Sequence, residues 1–364
     1  MIKALPYLFF IFTFSGFSQD FSRLTYLSDD VSETSGLIFF DDRIITHNDS
    51  GGMNALYEIS SENGNVLRTV EIGNATNVDW EDISHDDEFI YIGDFGNNNG
   101  NRKNLKVYKI SKSDYLNSEL VNADVIEFSY ADQIDFESAP NNTNFDAEAL
   151  ISFGSDLFIF TKNWADQRTN IYQLPKVPGT YEIQRIDEFD ASGLITGGTY
   201  NSESNKVLLT GYTGIRAFLI ELSGFSNGIF SNGSIEKNDL NIPLIESFQV
   251  EAITYSNASQ HFISAEKNQL GDAALYSLIA ETLNVEDYNT VSNRVFPNPA
   301  QDFLNVDKQF IPGRIEIFNV LGEKIFDHVL VDNKSLDISQ LSHGIYILKL
   351  SNENRSESLK FIKD

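Results

Sequence analysis

The stretch Asp146-Ala-Glu-Ala-Leu150 precedes an apolar run, Leu157–Thr161, that is short enough for a β-strand. Four other stretches begin in a similar way, each with one polar position next to an apolar neighbour. They are Thr34-Ser-Gly-Leu-Ile38, Asp79-Trp-Glu-Asp-Ile83, Ala191-Ser-Gly-Leu-Ile195 and Gln249-Val-Glu-Ala-Ile-Thr254. A turn and two more strand patterns follow each opening, and most units show a fourth strand, as at Val125–Tyr130. A four-stranded unit of roughly 40 to 50 residues predicts a blade of a β-propeller.

The number of blades follows from the openings and from one spare segment. The five openings predict an all-β, five-bladed propeller over residues 19–280. The last unit ends near Ala280 without an obvious fourth strand, whereas Ser22–Ser28 has a strand pattern ahead of the first unit. Pairing these segments would close the ring and leave no open sheet edge. Because the openings are unevenly spaced, a six-bladed ring is the alternative, although an insertion such as Gln133–Asn144 explains a long interval more simply.

The end of the chain carries a second set of strand patterns. Ile315-Glu-Ile317 alternates apolar and polar residues, and Ile345–Leu350 is apolar except for Lys349. Leu321-Gly-Glu323 predicts a hairpin turn between two apolar runs. We therefore expect a small antiparallel β-sandwich after the propeller. An ordinary adhesive β-sandwich without a role in transport is the alternative interpretation.

Longer segments of this tail follow a known pattern. They are Phe296-Pro-Asn-Pro-Ala-Gln-Asp-Phe-Leu-Asn-Val306, Ile315-Glu-Ile-Phe-Asn-Val-Leu-Gly-Glu-Lys-Ile325 and Leu336-Asp-Ile-Ser-Gln-Leu-Ser-His-Gly-Ile-Tyr-Ile-Leu-Lys-Leu350, followed by the basic Lys360 and Lys363. Over residues 291–364 the tail closely resembles the C-terminal sorting domain of type IX secretion cargo in Gram-negative bacteria. The resemblance implies that the type IX secretion machinery is a partner. It also implies that the tail is cleaved at the cell surface, so that the protein is secreted or surface-bound after passing through the periplasm.

The start of the chain agrees with export. Residues 1–18 contain Lys3, a mostly apolar run at Leu5–Phe14, and small residues at Gly16 and Ser18, which together predict a signal peptide. The apolar run is shorter than the about 20 residues that a spanning helix needs, and no second long run follows, so we expect no stable membrane span. Residues 281–290 are predicted to be a linker between the two folded parts.

Composition limits the class of partner. The chain has 364 residues, 41% of them hydrophobic, with 28 Phe and 15 Tyr, which is enough for a large core and a second small domain. It has no Cys, so disulfides do not stabilise it. The net charge of −27 disfavours nucleic-acid binding, because phosphate contacts need a basic surface. The acidic excess favours solubility outside the cell and the binding of divalent cations.

The openings also predict a metal site, because the first strand of each blade lines the central channel of a propeller. One residue in each opening is polar beside an apolar neighbour, giving the metal-ligand candidates Ser35, Glu81, Glu148, Ser192 and Glu251. Carboxylates from three blades would repel one another and raise their pKa values unless a cation lies among them. Oxygen ligands without His or Cys favour Ca²⁺ over a transition metal. The alternative is a wet channel in which these side chains bind backbone N–H groups and water.

The order Ser-Glu-Glu-Ser-Glu over the openings is similar to that of the calcium-activated nucleotidase (apyrase) propellers, which hold a central Ca²⁺. The similarity is confined to the openings. In that family the second strand of the first blade ends in a motif of the Asp-Asp-Arg-Thr-Gly type that helps to handle phosphates. Here the equivalent stretch is Asn48-Asp-Ser-Gly-Gly52, which has no arginine. The resemblance therefore implies the fold and the metal site but does not extend to nucleotide hydrolysis.

A second predicted site lies where the second strands end, because these ends gather at one mouth of a propeller channel. The binding candidates there are His47, Asp49, Asp94, Asn97, Arg102, Lys162, Trp164, Glu266 and Lys267. Polar groups beside an aromatic side chain suit a small polar ligand or a glycan. The alternative is ordinary loop chemistry, since Asn, Asp and Gly are common turn formers.

Two functions remain open at this stage. A Ca²⁺-dependent hydrolase of phosphate or other esters needs a base and a charge stabiliser that converge on one mouth. The candidates for these two roles are Asp49, Asp94 or Glu266 with Arg102, Lys162 or Lys267. A non-catalytic propeller that binds a glycan, a peptide or a surface partner needs only the aromatic and polar surface. The sequence does not decide between the two, and it identifies no catalytic residue.

Overall fold

A computed structural model describes residues 19–242, 246, 249–280, 295–306, 313–320, 322–330, 335–352 and 355–364. The predicted signal peptide and linker lie outside these described residues. The chain divides into two units, Met1–Thr282 and Leu283–Asp364. The described residues are almost all in strands and loops, which confirms the all-β prediction. Within them, no helix is long and apolar enough to cross a membrane.

In its described residues, the first unit is built from strands with one short α-helix. In chain order its elements are β1 (Gln19–Tyr26), β2 (Thr34–Phe40), β3 (Arg43–Asn48), β4 (Ala55–Ile59), β5 (Val66–Ile72), β6 (Trp80–His85), β7 (Phe89–Asp94), β8 (Lys106–Ser111), α1 (Lys112–Asn117), β9 (Leu120–Val121), β10 (Asp124–Tyr130), β11 (Ala147–Phe153), β12 (Asp156–Thr161), β13 (Arg168–Pro175), β14 (Gly179–Ile183), β15 (Arg185–Asp190), β16 (Leu194–Asn201), β17 (Lys206–Thr213), β18 (Arg216–Ser223), β19 (Ser234–Asp239), β20 (Val250–Tyr255), β21 (Gln260–Ala265) and β22 (Ala274–Ala280). Two 3-10 turns, Asp29–Val31 and Phe230–Asn232, lie in the loops.

In the described part of the first unit, these strands form five separate sheets. Their strand orders are β2-β3-β4-β5-β9 in sheet I, β6-β7-β8-β10-β14 in sheet II, β11-β12-β13-β15 in sheet III, β16-β17-β18-β19 in sheet IV and β20-β21-β22-β1 in sheet V. The first strands contact one another in cyclic order, β2 with β6, β6 with β11, β11 with β16, β16 with β20, and β20 with β2. This arrangement is propeller-like.

Apolar side chains fill the space between neighbouring sheets. One buried cluster, which includes Ile45 and Trp80, lies between sheets I and II, and another, which includes Phe160 and Phe218, lies between sheets III and IV. Further clusters join sheets II and III, sheets IV and V, and sheets V and I. Each fully buried Leu, Ile or Phe contributes about 1.5 to 3 kcal/mol. The cores therefore hold each sheet face to face with the next.

Strand β1 is the fourth strand of the last sheet, which confirms the predicted pairing of the spare segment with the last unit. It pairs antiparallel with β22, with Gln19 opposite Ala280 and Tyr26 opposite Ala274. The observed strand begins and ends slightly before the predicted Ser22–Ser28. The ring of Phe21 stacks on that of Tyr276, with the centroids 5.0 Å apart. The beginning and the end of the first unit are thus tied to each other by one strand pair.

The long intervals between openings contain insertions. The interval from β6 to β11 holds α1, the short strand β9 and the loop that includes the predicted insertion at 133–144. Strand β9 pairs parallel with β5 at the outer edge of sheet I, and β14 pairs parallel with β10 at the outer edge of sheet II. The sequence repeat did not predict these two strands because both lie outside the four-stranded unit. In the described residues, the intervals form no further sheet.

Every first strand carries a β-bulge at its opening. The register shifts lie between Thr34 and Leu37, Trp80 and Asp82, Ala147 and Ala149, Ile195 and Gly197, and Val250 and Ala252. A bulge bends its strand and redirects the extra side chain. The residues in these extra positions include Ser35, Glu81, Glu148, Thr196 and Glu251. In sheets I, II, III and V the openings seen in the sequence therefore coincide with bulges.

The first strands are edge strands, so side chains satisfy backbone groups on their open sides. The buried carboxylate of Asp82 accepts hydrogen bonds from the backbone N–H of Ile83 at 2.8 Å, of Leu150 at 2.7 Å and of Gly198 at 3.1 Å. Ser35 Oγ donates to the carbonyl of Glu81 at 2.5 Å. Thr196 Oγ1 donates to the carbonyl of Val250 at 2.5 Å. Asp82 alone thus joins sheets II, III and IV.

The second unit agrees with the predicted antiparallel sandwich. Its strands are β23 (Val295–Phe296), β24 (Phe303–Val306), β25 (Gly313–Asn319), β26 (Lys324–Leu330), β27 (Ser335–Asp337), β28 (Gly344–Asn352) and β29 (Arg355–Lys363). They form two sheets in the described residues, β23-β24-β27 and β26-β25-β28-β29, with antiparallel pairing throughout. Strands β25 and β26 form the hairpin that was predicted around Gly322, whose φ of 81° suits glycine. Buried side chains that include Leu304, Ile317 and Phe361 form the core.

We expect Asp82→Ala to destabilise the first unit by about 3 kcal/mol, because two buried N–H groups on other sheets would lose their acceptor at about 1 to 3 kcal/mol each. Asp87→Ala is the matched control, since Asp87 is exposed in the next turn. Urea unfolding followed by near-ultraviolet circular dichroism measures the difference. If the two variants unfold within about 0.5 kcal/mol of each other, Asp82 does not join the sheets in the way described.

Candidate functional site

A cavity of about 210 Å³ lies where the first strands begin and the second strands end. Residues from all five sheets or their adjoining loops line it: Ser35, Asp49, Glu81, Asn98, Asn141, Glu148, Lys162, Trp164, Tyr212, Gln249, Glu251 and Glu266. The lining is mostly polar and acidic, with two aromatic rings. The channel and the mouth that the sequence predicted as separate sites thus belong to one cavity.

The structure brings four of the five metal-ligand candidates to this cavity. Ser35, Glu81, Glu148 and Glu251 line it from their bulges. Ser192 lies elsewhere: it is exposed, its φ is 49°, and its N–H and Oγ both bond Asp190. In sheet IV the bulge is instead at Thr196. The stretch from 191 to 195 repeats the residue types of 34–38, but it precedes the bulge by several residues.

Among the mouth candidates, Asp49, Lys162, Trp164 and Glu266 line the cavity. The other five candidates are His47, Asp94, Asn97, Arg102 and Lys267, and none of them lines it. Each of the five is engaged in local packing or pairing. They therefore supply neither a free base nor a free cation to this site.

The loop after β7 folds back on itself and occupies three of these candidates. Arg102 Nη2 donates to Asp94 Oδ1 at 2.8 Å, and Arg102 Nη1 donates to the carbonyl of Gly96 at 2.7 Å. The side chain of Asn97 accepts from the backbone N–H of Arg102 at 2.9 Å. Asp94 is fully buried in this arrangement. The network shapes the loop and leaves the guanidinium paired.

The remaining two candidates are separated from the cavity by burial or by position. His47 is fully buried and lies edge-on to the ring of Trp80 at 5.6 Å between centroids. Burial lowers the pKa of His47 to about 4, so the imidazole is neutral at physiological pH. Lys267 lies at the surface with its Nζ 3.4 Å from Asp29 and 3.3 Å from Asp272.

Carboxylates dominate the charge of the cavity. Glu81 is 4% exposed, and within the described residues its carboxylate has neither a hydrogen bond nor an ion pair. Burial raises the pKa of Glu81 well above its usual value, and the neighbouring Glu148 raises it further. Burial also raises the pKa of Glu148 and of Glu251, although Lys162 opposes the shift in both. Without a bound metal ion, the proximity and burial of these three glutamates favour their protonated forms.

Among the residues that the structure describes, two sets of acidic side chains are close enough to hold a metal ion. Asp49, Asp79 and Glu81 form one set, and Glu81, Asp146 and Glu148 form the other; within each set the ligand oxygens lie within 4.8 Å of one another. Glu81 belongs to both sets. We call them the outer set and the inner set.

The approach of the outer carboxylates requires a glycine. A Cβ atom at Gly96 would lie 1.9 Å from Glu81 Oε1 and 2.6 Å from Asp79 Oδ2. Any other residue there would displace both carboxylates. The loop after β7 therefore contributes backbone rather than side chain to this part of the cluster.

Sequence reasoning did not single out Asp79 and Asp146, although a signal for them exists. Each stands two residues before a bulged glutamate, in Asp79-Trp-Glu81 and Asp146-Ala-Glu148. Residues at i and i+2 of an extended chain share a face, so the two acidic pairs point toward a common region. Asp146 accepts hydrogen bonds from the Nε1 of Trp164 at 2.7 Å and from the backbone N–H of Asn97.

Lys162 is the one cationic side chain among the lining residues that the structure describes. It is 6% exposed, and its Nζ lies 3.0 Å from Glu148 Oε1. The ammonium also lies 5.0 Å from the ring centroid of Trp164 and 5.5 Å from that of Tyr212, which are cation–π distances. Burial by itself would lower the pKa of Lys162, but Glu148 and Glu251 raise it well above its usual value. Lys162 is therefore charged.

The comparison with known families identifies the tail. Residues 294–364 match the family model described as a secretion system C-terminal sorting domain. The predicted type IX sorting tail is thus confirmed. The chain is exported to a secreted or cell-surface location, and its tail interacts with the type IX secretion machinery.

The comparisons give the first unit no function. No curated protein is significantly similar to the chain in sequence. Solved structures with a distant likeness include the GH43_1 enzyme from Xanthomonas citri, which is 10% identical over 73% of this chain and 92% of that chain with a TM-score of 0.43. Hydrazine synthase from Kuenenia stuttgartiensis is 11% identical over 92% of this chain and 97% of that chain with a TM-score of 0.35. Likenesses at this level carry no argument about activity.

Glu266 gives a testable pH dependence in protein that has been freed of divalent cations with a chelator. Burial and then Asp49 raise the pKa of Glu266 from 4.5 to about 7. A raised carboxyl pKa contributes stability that is fully present below the unfolded pKa and is lost as pH rises through the folded one. We therefore expect the melting temperature to fall between about pH 5 and about pH 8, and to fall less in Glu266→Gln.

The control for this experiment is Glu62→Gln, because Glu62 is exposed in a turn. Its pH profile should follow the wild type. Differential scanning calorimetry at a series of pH values makes the comparison. A Glu266→Gln profile that overlays the wild-type profile would show that this carboxyl does not retain its proton in the folded state.

Proposed function

We propose that the first unit is a closed five-bladed β-propeller, exported by the type IX pathway, whose channel mouth binds a neutral hydroxyl-rich ligand such as a sugar with the help of Ca²⁺. The cyclic contacts of the first strands and the pairing of β1 with β22 support the closed ring. The sorting tail supports the location. The charge and the lining of the 210 Å³ cavity support the ligand class.

The single observation that carries this function is the unbalanced negative charge beside two aromatic rings. Asp49, Glu81, Glu148, Glu251 and Glu266 line the cavity, and Lys162 is their one cationic neighbour in the described lining. Without a bound metal ion, a phosphate group entering this field would be repelled, and in a partly buried site the repulsion is only weakly screened. A neutral ligand carries no such penalty.

The cations that the hydrolase interpretation needs are already paired. Arg102 is held by Asp94 at 2.8 Å, and Lys162 is held by Glu148 at 3.0 Å. Lys267 lies with Asp29 and Asp272 at the surface. A hydrolase of phosphate esters requires a positive group to stabilise the developing negative charge. The described structure leaves none of these side chains free for that role, so hydrolysis would depend on the bound Ca²⁺ alone, whereas ligand binding needs no such group.

The mouth has the groups that sugar recognition uses. Trp164 and Tyr212 offer rings against which the apolar face of a sugar can pack. Asn98 and Asn141 offer amide groups for hydroxyls, while the amide of Gln249 donates to Glu266. A few polar groups fix the orientation of a ligand, while aromatic contacts supply much of the buried area.

The metal in this proposal is Ca²⁺, because the available ligands are oxygen atoms from carboxylates. A bound cation would offset the mutual repulsion of the cluster and would leave coordination positions open toward the mouth. Binding to the folded state alone stabilises a protein by about 2.7 kcal/mol at a hundredfold excess over Kd. Ca²⁺ would therefore raise the melting temperature of the first unit, and a chelator would lower it.

Ligand binding can be measured through tryptophan fluorescence. The chain has two Trp residues, and Trp80 is fully buried, so a change on ligand addition reports on Trp164. We expect a panel of neutral mono- and oligosaccharides to contain ligands that shift the emission in Ca²⁺, and Trp164→Ala to abolish their heat of binding in calorimetry. Leu67→Ala, at a residue that is 68% exposed on sheet I, should bind as the wild type does. Turnover of p-nitrophenyl phosphate together with no saccharide binding would favour the hydrolase instead.

Export can be tested by deleting residues 291–364. Because Met1–Thr282 forms a unit with its own cores, we expect the truncated protein to fold with an unchanged melting transition. It should accumulate in the periplasm and be absent from the cell surface and medium, while full-length Glu62→Gln is exported normally. Cell fractionation with immunoblotting makes the measurement. Normal secretion of the truncated chain would contradict the role given to the tail.

A further inference from the structure

We propose that the carboxylate cluster holds two cations side by side: the ammonium of Lys162 in the inner set, and one divalent cation bound by Asp49, Asp79 and Glu81 in the outer set. The inference rests on the proposed function in one respect: both place the ligand at the same mouth of the channel. It replaces the predicted axial site of Glu81, Glu148 and Glu251 with a site to one side of the channel.

In the inner set, Glu148 and Asp146 already have ion-pair or hydrogen-bond partners within the protein. Glu148 is paired with the buried ammonium of Lys162 at 3.0 Å. Both oxygens of Asp146 accept hydrogen bonds, one from Trp164 and one from Asn97. A metal ion here would have to displace the ammonium from a position between Glu148 and two aromatic rings. Because like charges at such short range repel strongly, the ammonium of Lys162 excludes a metal ion from the inner set.

The outer set has fewer and weaker partners. Asp49 Oδ1 is buried and accepts no hydrogen bond. Glu81 is 4% exposed and has no hydrogen bond or ion pair to its carboxylate within the described residues. The closest cation to Asp79 in the described structure is Arg102, whose Nη1 is 3.9 Å away and is engaged with the carbonyl of Gly96. The buried, unpartnered carboxylate of Glu81 thus belongs to a set of three in which the described structure has one ion pair, the long contact of Asp79 with Arg102 at 3.9 Å.

The spacing of the outer set fits calcium. Its ligand oxygens lie within 4.8 Å of one another, and two oxygens bound to one Ca²⁺ at about 2.3 to 2.6 Å can be separated by up to about 5 Å. Three carboxylates leave several of the six to eight coordination positions of Ca²⁺ open. Asp49 and Glu81 both line the cavity, so these positions face the mouth. Vicinal hydroxyls of a neutral ligand would complete the coordination.

The outer site and the axial site make opposite predictions for two carboxylates, the half-buried Asp79 and the buried Glu251. Asp79→Asn removes a ligand of the outer set, whereas Glu251→Gln removes a carboxylate that is 6% exposed, lines the same cavity and belongs to neither set. Full-length protein is titrated with CaCl₂ by calorimetry, without saccharide. We expect one Ca²⁺ per chain, an affinity at least about tenfold weaker in Asp79→Asn, and an affinity within about threefold of wild type in Glu251→Gln. The reverse order would overturn the inference in favour of the axial site.

Lys162→Met tests the inner set. The methionine keeps the apolar stem beside Trp164 and Tyr212 but removes the charge, so a second Ca²⁺ should bind and the stoichiometry should rise from one to two. If this variant fails to fold, the comparison of Asp79→Asn with Glu251→Gln still decides. A stoichiometry of one in folded Lys162→Met, or no Ca²⁺ binding by the wild type, would overturn the inference. Saccharide binding that persists in chelator would support the ligand class of the proposed function but contradict its dependence on Ca²⁺.

Discussion

The strands at the centre of the first unit are edge strands, and their open sides must find hydrogen-bond partners other than a neighbouring strand. A buried backbone group without a partner costs about 1 to 3 kcal/mol, so five such edges would be prohibitive if left open. Side chains from the neighbouring sheets meet this need. Ser35 and Thr196 each donate to a carbonyl of the next first strand, and Asp82 accepts N–H groups from sheets II, III and IV. The bulges that aim these side chains recur in every sheet.

The same bulges create the site. Where the extra residue of a bulge is Ser or Thr, its hydroxyl donates a hydrogen bond to a backbone carbonyl. Where the extra residue is Glu, its carboxylate lines the cavity. Asp79 and Asp146 add further carboxylates, and one lysine provides the only cation among the lining residues described here. Collecting these charges in a buried place is unfavourable for folding unless a bound ion offsets the repulsion. Such a local conflict between folding and composition is typical of functional sites.

Periodic features of the chain could be predicted from its sequence, and features set by distant contacts could not. The five openings and the closing strand follow from residue patterns, because strand alternation and edge pairing are general constraints. Ser192 and Ser35 are each followed by Gly-Leu-Ile in the sequence, yet this local similarity does not determine the position of the bulge. In sheet IV the bulge lies at Thr196. The pairing of Arg102 with Asp94 depends on how an Asn- and Gly-rich loop folds back on itself. The alternation of apolar and polar residues does not predict the conformation of such a loop. Asp79 and Asp146 could have been found from their spacing to Glu81 and Glu148.

The central claim is that the buried carboxylates of the channel mouth exist to hold a divalent cation. The most direct measurement is anomalous diffraction from crystals of the full chain grown with Ca²⁺. The account predicts one anomalous peak among Asp49, Asp79 and Glu81, with Lys162 still beside Glu148. A map with no peak at the mouth, in which the carboxylates share protons with one another or bind only water, would contradict it.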